Sequence, residues 1–297
     1  MKKIIFILIL SFITFNSRIY AQQVIEIEPL FEYPVAPDEM ESLEDRCAYL
    51  VKNFWDNFNF KTSDSVDQYA LNEAFQVYAS TFSYAPAKDV DQSIDKLIKN
   101  ISNKPVLQLQ FTKAAEENLY GPRAQIWSDQ LFLKFIDAVL KNKKIPAARK
   151  TRYEKLATAL RESAIGQRAP EFWFTDRERA SKRYFPMSTP TILIFGNPDD
   201  TDWRLTRLKM DSNFTLDEAL KKGKINILYI LPSEVNNWKE TTANYNPLWT
   251  VGVSEEAAKV YDIKVNPAIY IVGADGKILN KNIIPQEAVE KTLDLVK

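Results

Sequence analysis

Three carboxylates stand close together behind the apolar run Thr191 to Phe195, in the stretch Asn197-Pro198-Asp199-Asp200-Thr201-Asp202-Trp203-Arg204. At a helix start, Asp199, Asp200 and Asp202 would accept orphan backbone N–H groups and gain roughly 0.3–1 kcal/mol from the helix dipole. Capping is therefore one reading of the cluster, and an acidic edge that meets a partner is another. A Ca²⁺ or Mg²⁺ loop has little support, because the glycine and the distant bidentate Glu of a calcium loop are missing.

The other group with reactive potential is Cys47, the only cysteine. Leu43, Cys47, Leu50, Val51, Phe54 and Phe58 recur at helical spacing, which puts the thiol on an apolar helix face as an inert core residue. One thiol cannot form an intramolecular disulfide, and a redox role through Cys47 would need an exposed thiol of low pKa and a partner thiol. Histidine is absent, which removes His-dependent triads and most zinc and copper sites. Acid–base work by carboxylates alone, for example on a glycan, stays open as an alternative. It needs a pair converging at about 5 to 9.5 Å, and no motif nominates one. The seven glycines form no phosphate-binding pattern. The sequence thus assigns no catalytic residue, and neither a cofactor nor a metal is expected.

The elements that must position these residues fall into two parts. The 297 residues, 45% hydrophobic and 26% charged, are enough to bury two cores. Thirty-nine basic residues balance thirty-nine acidic ones, so no global field favours nucleic acid. Residues 1–21 have the parts of a secretory signal, with Lys2 and Lys3, an apolar run from Ile4 to Ile13 and Ala21 at the expected cleavage site. The run is shorter than the roughly 20 residues a membrane span needs. Export of a chain with no membrane span is therefore expected, and no cysteine follows Ala21 to carry a lipid.

After a leader, residues 22–37, the pattern from 38 to 165 is almost continuously helical. It predicts helices near 39–58, 67–83, 87–102, 105–119, 125–142 and 146–164, with Pro86, Pro105, Pro122 and Pro146 at tolerated first-turn positions. Breaks of two to six residues predict antiparallel neighbours in a bundle. From residue 166 the pattern changes to α/β. The runs 191–195, 225–231 and 268–272 read as buried strands, and Asp275-Gly276 reads as a two-residue turn into an antiparallel strand at 277–279. A last helix is expected over 286–296. The aromatic residues Phe54, Trp55, Phe58, Phe60, Trp173, Trp238 and Trp249 read first as core, with an aromatic groove for peptide or glycan as the alternative.

Four segments in order, Gly166 to Phe172, Thr191 to Asp200, Tyr261 to Ile271 and Asp275-Gly276-Lys277, resemble a thioredoxin-like domain of the exported thiol-oxidoreductase (TlpA-like) and peroxiredoxin-like kind. The segment with Arg46-Cys47-Ala48-Tyr49-Leu50 and Phe54 to Phe60 resembles the helical domain DUF5106. The resemblance implies an all-α domain over 38–165, followed over 166–297 by a mixed sheet flanked by helices. It also implies the periplasm or cell envelope of a Gram-negative bacterium. In the family a Cys-x-x-Cys pair follows the first long strand. Here Asp200 and Trp203 stand at the two positions, and neither can form a mixed disulfide. Pro267 matches the family's cis-proline, either as a residue that shapes the turn or as part of a peptide-binding surface. The resemblance therefore implies a non-catalytic exported protein that binds another exported protein or a peptide. Asp199, Asp200, Thr201, Asp202, Trp203, Asn266 and Pro267 form the vestigial loop where binding would occur.

Overall fold

The computed structural model describes residues 28–61, 63–186 and 188–297. The expected signal segment lies outside the described residues. Six helices come first: α1 (Leu43–Asn53), α2 (Gln68–Ser80), α3 (Ala87–Ile101), α4 (Pro105–Leu119), α5 (Asp129–Lys141) and α6 (Ala147–Glu162). Short polar side chains start three of them. Ser42 accepts the N–H of Asp45, Asp67 that of Ala70, and Ser128 that of Leu131. Pro105 occupies the first turn of α4, and Pro86 and Pro146 stand one residue earlier, at the N-caps of α3 and α6. Pro122 departs from the expectation, because Ser128 delays the start of α5 and leaves Pro122 in the preceding turn.

The core of this half is aromatic. Phe54, Trp55 and Phe58 are buried, and the Trp55 ring lies 5.0 Å from that of Phe111 and 5.5 Å from that of Tyr78. Their edge-to-face arrangement is the favoured one for aromatic quadrupoles. Cys47 is buried on the inner side of α1, as its spacing implies, and burial pushes its thiol pKa up.

The second half contains β1 (Phe172–Asp176), β2 (Ser181–Tyr184), β3 (Thr191–Phe195), α7 (Thr201–Asp211), α8 (Phe214–Lys221), β4 (Asn226–Leu231), α9 (Trp238–Thr241), β5 (Thr250–Val253), α10 (Ala257–Val260), β6 (Ala268–Val272), β7 (Ile278–Lys281) and α11 (Pro285–Asp294). The strands form one mixed sheet in the order β2-β1-β5-β4-β3-β6-β7. Strand β3 runs parallel to β4 and antiparallel to β6, and β4 runs parallel to β5. Central strands β3 and β6 are buried along their whole length, so their side chains alternate into two cores. Ile192, Ile194 and Tyr229 face α7, α8 and α11, whereas Leu193, Phe195 and Tyr270 pack with Phe172 and Tyr261.

The β6–β7 connection is antiparallel, but it is not a two-residue turn centred on Asp275-Gly276. Ala274 and Asp275 are the central residues, Gly276 follows at φ +79°, and Gly273 N–H bonds Lys277 O at 2.8 Å. This is a turn followed by a left-handed glycine, the three-residue hairpin form.

A polar network joins the two halves. The Tyr120 hydroxyl donates to Asp262 Oδ1 at 2.6 Å, the Asp262 N–H donates to Ser163 Oγ at 3.1 Å, and Lys264 Nζ donates to Asp129 Oδ1 at 2.9 Å. Lys281 also pairs with Asp129, and Lys264 and Lys281 each lie 3.7 Å from the buried carboxylate of Asp262. Burial alone would raise the Asp129 pKa, but the ammonium groups of Lys281 and Lys264 outweigh it and hold the carboxyl below its ordinary range. For Tyr120, burial and then the Asp262 charge both act to keep the phenol protonated. Gly166 N–H bonds Ile278 O and Ile278 N–H bonds Gln167 O, so the chain leaving α6 lies along the outer edge of β7. That cover pairs the start of this edge strand.

Candidate functional site

The loop singled out by its carboxylates leaves the C-terminal end of β3. Gly196 opens the loop, and a Cβ there would make a tight 3.1 Å contact with the Tyr229 hydroxyl. Asn197 N–H donates to Asn266 Oδ1 at 3.0 Å, and Asn197 Oδ1 accepts from Asp199 N–H at 3.0 Å. The first bond ties the loop to the segment ahead of β6, and the second braces the loop on itself. The Asn266–Pro267 peptide is cis.

Asp200 has extended backbone angles and accepts the N–H of Trp203 at 2.7 Å, so it is the N-cap of α7. Asp199 is half-exposed, with its carboxylate 3.8 Å from the Arg204 guanidinium, which also donates to the Asp199 carbonyl. Thr201 and Asp202 are exposed in the first turn, as is Asn266 opposite them, and Pro267 is half-buried. The structure thus brings Asp199, Asp200, Thr201, Asp202, Asn266 and Pro267 into one region.

Trp203 is the exception. It is fully buried and cannot belong to a binding surface. Its indole stacks on Tyr229 with centroids 5.1 Å apart and planes 10° from parallel, and Nε1 donates to the Tyr245 hydroxyl at 2.8 Å. The position is the third of α7, and its side chain turns toward the sheet. Burial raises the pKa of Tyr245, and the hydrogen bond it accepts from Trp203 only partly offsets that rise. Arg207, one turn on, has its guanidinium 4.6 Å from the Tyr245 ring centroid and pairs with Asp211. At position 203 the chain therefore has a buried, hydrogen-bonded aromatic stack.

The outward side of α7 has a different character. Leu205 and Leu208, one turn apart on one face, are 58% and 53% exposed, and Phe214 at the start of α8 is exposed as well. Sequence reasoning passed over this side because α7 has no clean apolar stripe. Trp238 and Trp249 are buried, whereas Trp173 is exposed. The interdomain residues Tyr120, Asp129, Asp262, Lys264 and Lys281 were also missed. Asp262 and Lys264 stood inside a recognised segment, but nothing in their spacing signals that Asp129 would meet them.

This sheet order, with a helix N-terminus at the end of β3 and a proline ahead of β6, defines a thioredoxin-like fold. A thioredoxin-like protein from Bacteroides caccae superposes on 90% of this chain, and 99% of its own, with a TM-score of 0.71 at 21% identity. The profile of the domain of unknown function DUF5106 matches residues 14–163, half of the chain, and the chain belongs to that family. The thioredoxin domain of a thiol-disulfide oxidoreductase from Bacteroides vulgatus is also similar, at 18% identity over 45% of this chain and 99% of its own, with a TM-score of 0.40. No curated protein matches the chain.

Proposed function

We propose that this chain is a redox-inactive thioredoxin-like protein whose sheet half binds another protein or a peptide beside the former active-site loop. The observation that carries this reading is the replacement of the reactive pair by a capping carboxylate and a buried indole, in a chain whose one thiol is buried in α1. Thiol exchange needs an accessible thiolate. The loop retains exposed acceptors in Asp199 and Asp202, and α7 adds apolar surface at Leu205 and Leu208. Exposed apolar side chains rimmed by polar ones suit protein contact. The N-terminal signal features support action outside the cytoplasm, in the periplasm or envelope. No helix among the described residues is long and apolar enough to cross a membrane.

Two measurements test the reading. Insulin disulfides should not be reduced in the presence of an external electron donor, and the Cys47 thiol should react with a chromogenic disulfide only after denaturation. Reduction abolished by Cys47→Ser would overturn the redox part. A photo-crosslinking residue at position 205 should capture a defined partner in cells, while the same residue at position 182, on the sheet's edge strand, should not. Equal capture at both positions would remove α7 as the binding face.

A further inference from the structure

Helices α4 and α6 each pack along α5, and a groove of about 950 Å³ opens between them. Leu109, Ile145 and Tyr153 supply apolar lining, and Val106 stands at the groove 57% exposed. Arg152 of α6 pairs with Glu116 of α4 across the groove. Beyond this strap a second recess, of about 1030 Å³, continues between α6 and the 258–263 segment of the sheet half. Ala148 and Arg152 line both spaces, so the two recesses adjoin at α6, and together they are termed the channel.

The channel is cationic in a chain of zero net charge. Lys113, Lys144, Arg149, Arg152, Lys155 and Lys259 line it, against Glu116, Glu117 and Asp262. Glu116 is held by Arg152, and Asp262 is held within the interdomain network. Among the described residues, Lys113, Arg149, Lys155 and Lys259 pair with no carboxylate. Folding leaves these charges and the Val106 side chain without a use.

The spacing of the cations selects the occupant. Arg149, Arg152 and Lys155 follow at three-residue steps, so they spread over about 9 Å of the α6 axis and turn by about 60° at each step, from the first recess into the second; Lys113 of α4 lines the first recess with Arg149 and Arg152. One anionic headgroup would answer the charge at a single point only. A polypeptide with carboxylates distributed along it and apolar side chains on one face answers all of them and covers the lining, the helix-in-groove mode of recognition. We propose that the channel between α4 and α6 docks an acidic, amphipathic polypeptide segment of a partner protein.

The test selects 16-residue peptides from a random phage-displayed library on the full chain and measures the enriched peptides by fluorescence anisotropy. Enriched sequences should carry an excess of Asp and Glu, with apolar residues three or four apart. Their affinity should fall at least about tenfold in the double variant Lys113→Glu/Arg149→Glu and should weaken with added salt. Both positions are exposed, and a circular dichroism melt confirms folding; Lys155→Glu replaces the double variant if it does not fold. The proposal fails if no peptide is enriched, if enriched peptides are not acidic, or if they bind the charge-reversed protein as tightly. It also fails if phosphatidylglycerol vesicles bind in a charge-reversal-sensitive manner and peptides do not.

Discussion

Trp203 is fully buried at the start of α7, and its contribution can be worked out from its surroundings. Replacement by Ala removes a fully buried indole, a stack on Tyr229 and a donor to Tyr245. Truncating a buried Trp to Ala costs about 3–5 kcal/mol when the cavity does not collapse. Collapse is resisted here by the rigid rings of Tyr229, Tyr245 and Trp249 around it. Replacement by Phe keeps an aromatic stack and gives up the hydrogen bond, a loss of about 1 kcal/mol plus a smaller packing term. With a urea slope of about 3 kcal/mol per molar, the Ala variant should shift the midpoint of the sheet half down by roughly 1–1.7 M, and the Phe variant by roughly 0.3–0.6 M. The assay is urea unfolding followed by near-ultraviolet circular dichroism. A shift below about 0.3 M for the Ala variant, or equal shifts for the two, would refute a stabilising role for Trp203.

Two further outcomes follow from the packing. Asp129 has a folded-state pKa below its ordinary 3.8, so between those values the unfolded chain binds the extra proton. Its stabilisation is complete above pH 3.8 and is lost as pH falls through the folded value. Acid unfolding of Asp129→Asn should therefore show a shallower loss of stability below about pH 4 than wild type, and identical acid profiles would contradict the assigned ion pairs. A Cβ at Gly252 would lie 2.5 Å from Phe174 Cδ2 and 2.7 Å from the Thr175 carbonyl oxygen. The backbone contact cannot be relieved without parting β5 from β1, so Gly252→Ala should cost about 1–3 kcal/mol, and an unchanged denaturation midpoint would argue against that pairing.

The long elements were legible because each had a local cause. The six helices have caps, prolines and apolar periodicity, and β3, β4 and β6 are uninterrupted apolar runs. Strands β1, β2 and β5 were not legible. Phe172–Asp176 buries only alternate residues, Ser181–Tyr184 buries a single one, and Thr250–Val253 is four residues long with a glycine inside. Their strand character comes from the neighbours they pair with, and no local pattern encodes those neighbours.

The same distinction divides Asp200 from Trp203. Asp200 acts on a backbone N–H three residues away, so its role follows from sequence neighbours alone. Trp203 is defined by Tyr229 and Tyr245, which lie 26 and 42 positions along the chain. A large aromatic beside a loop reads from sequence as an exposed anchor, yet at the third position of α7 it points under the helix, where only a concave wall of other aromatics can accept it. An indole at this position therefore depends on a matched set of side chains on β4 and the 242–249 segment. A cysteine placed at position 203 would leave a cavity inside that wall.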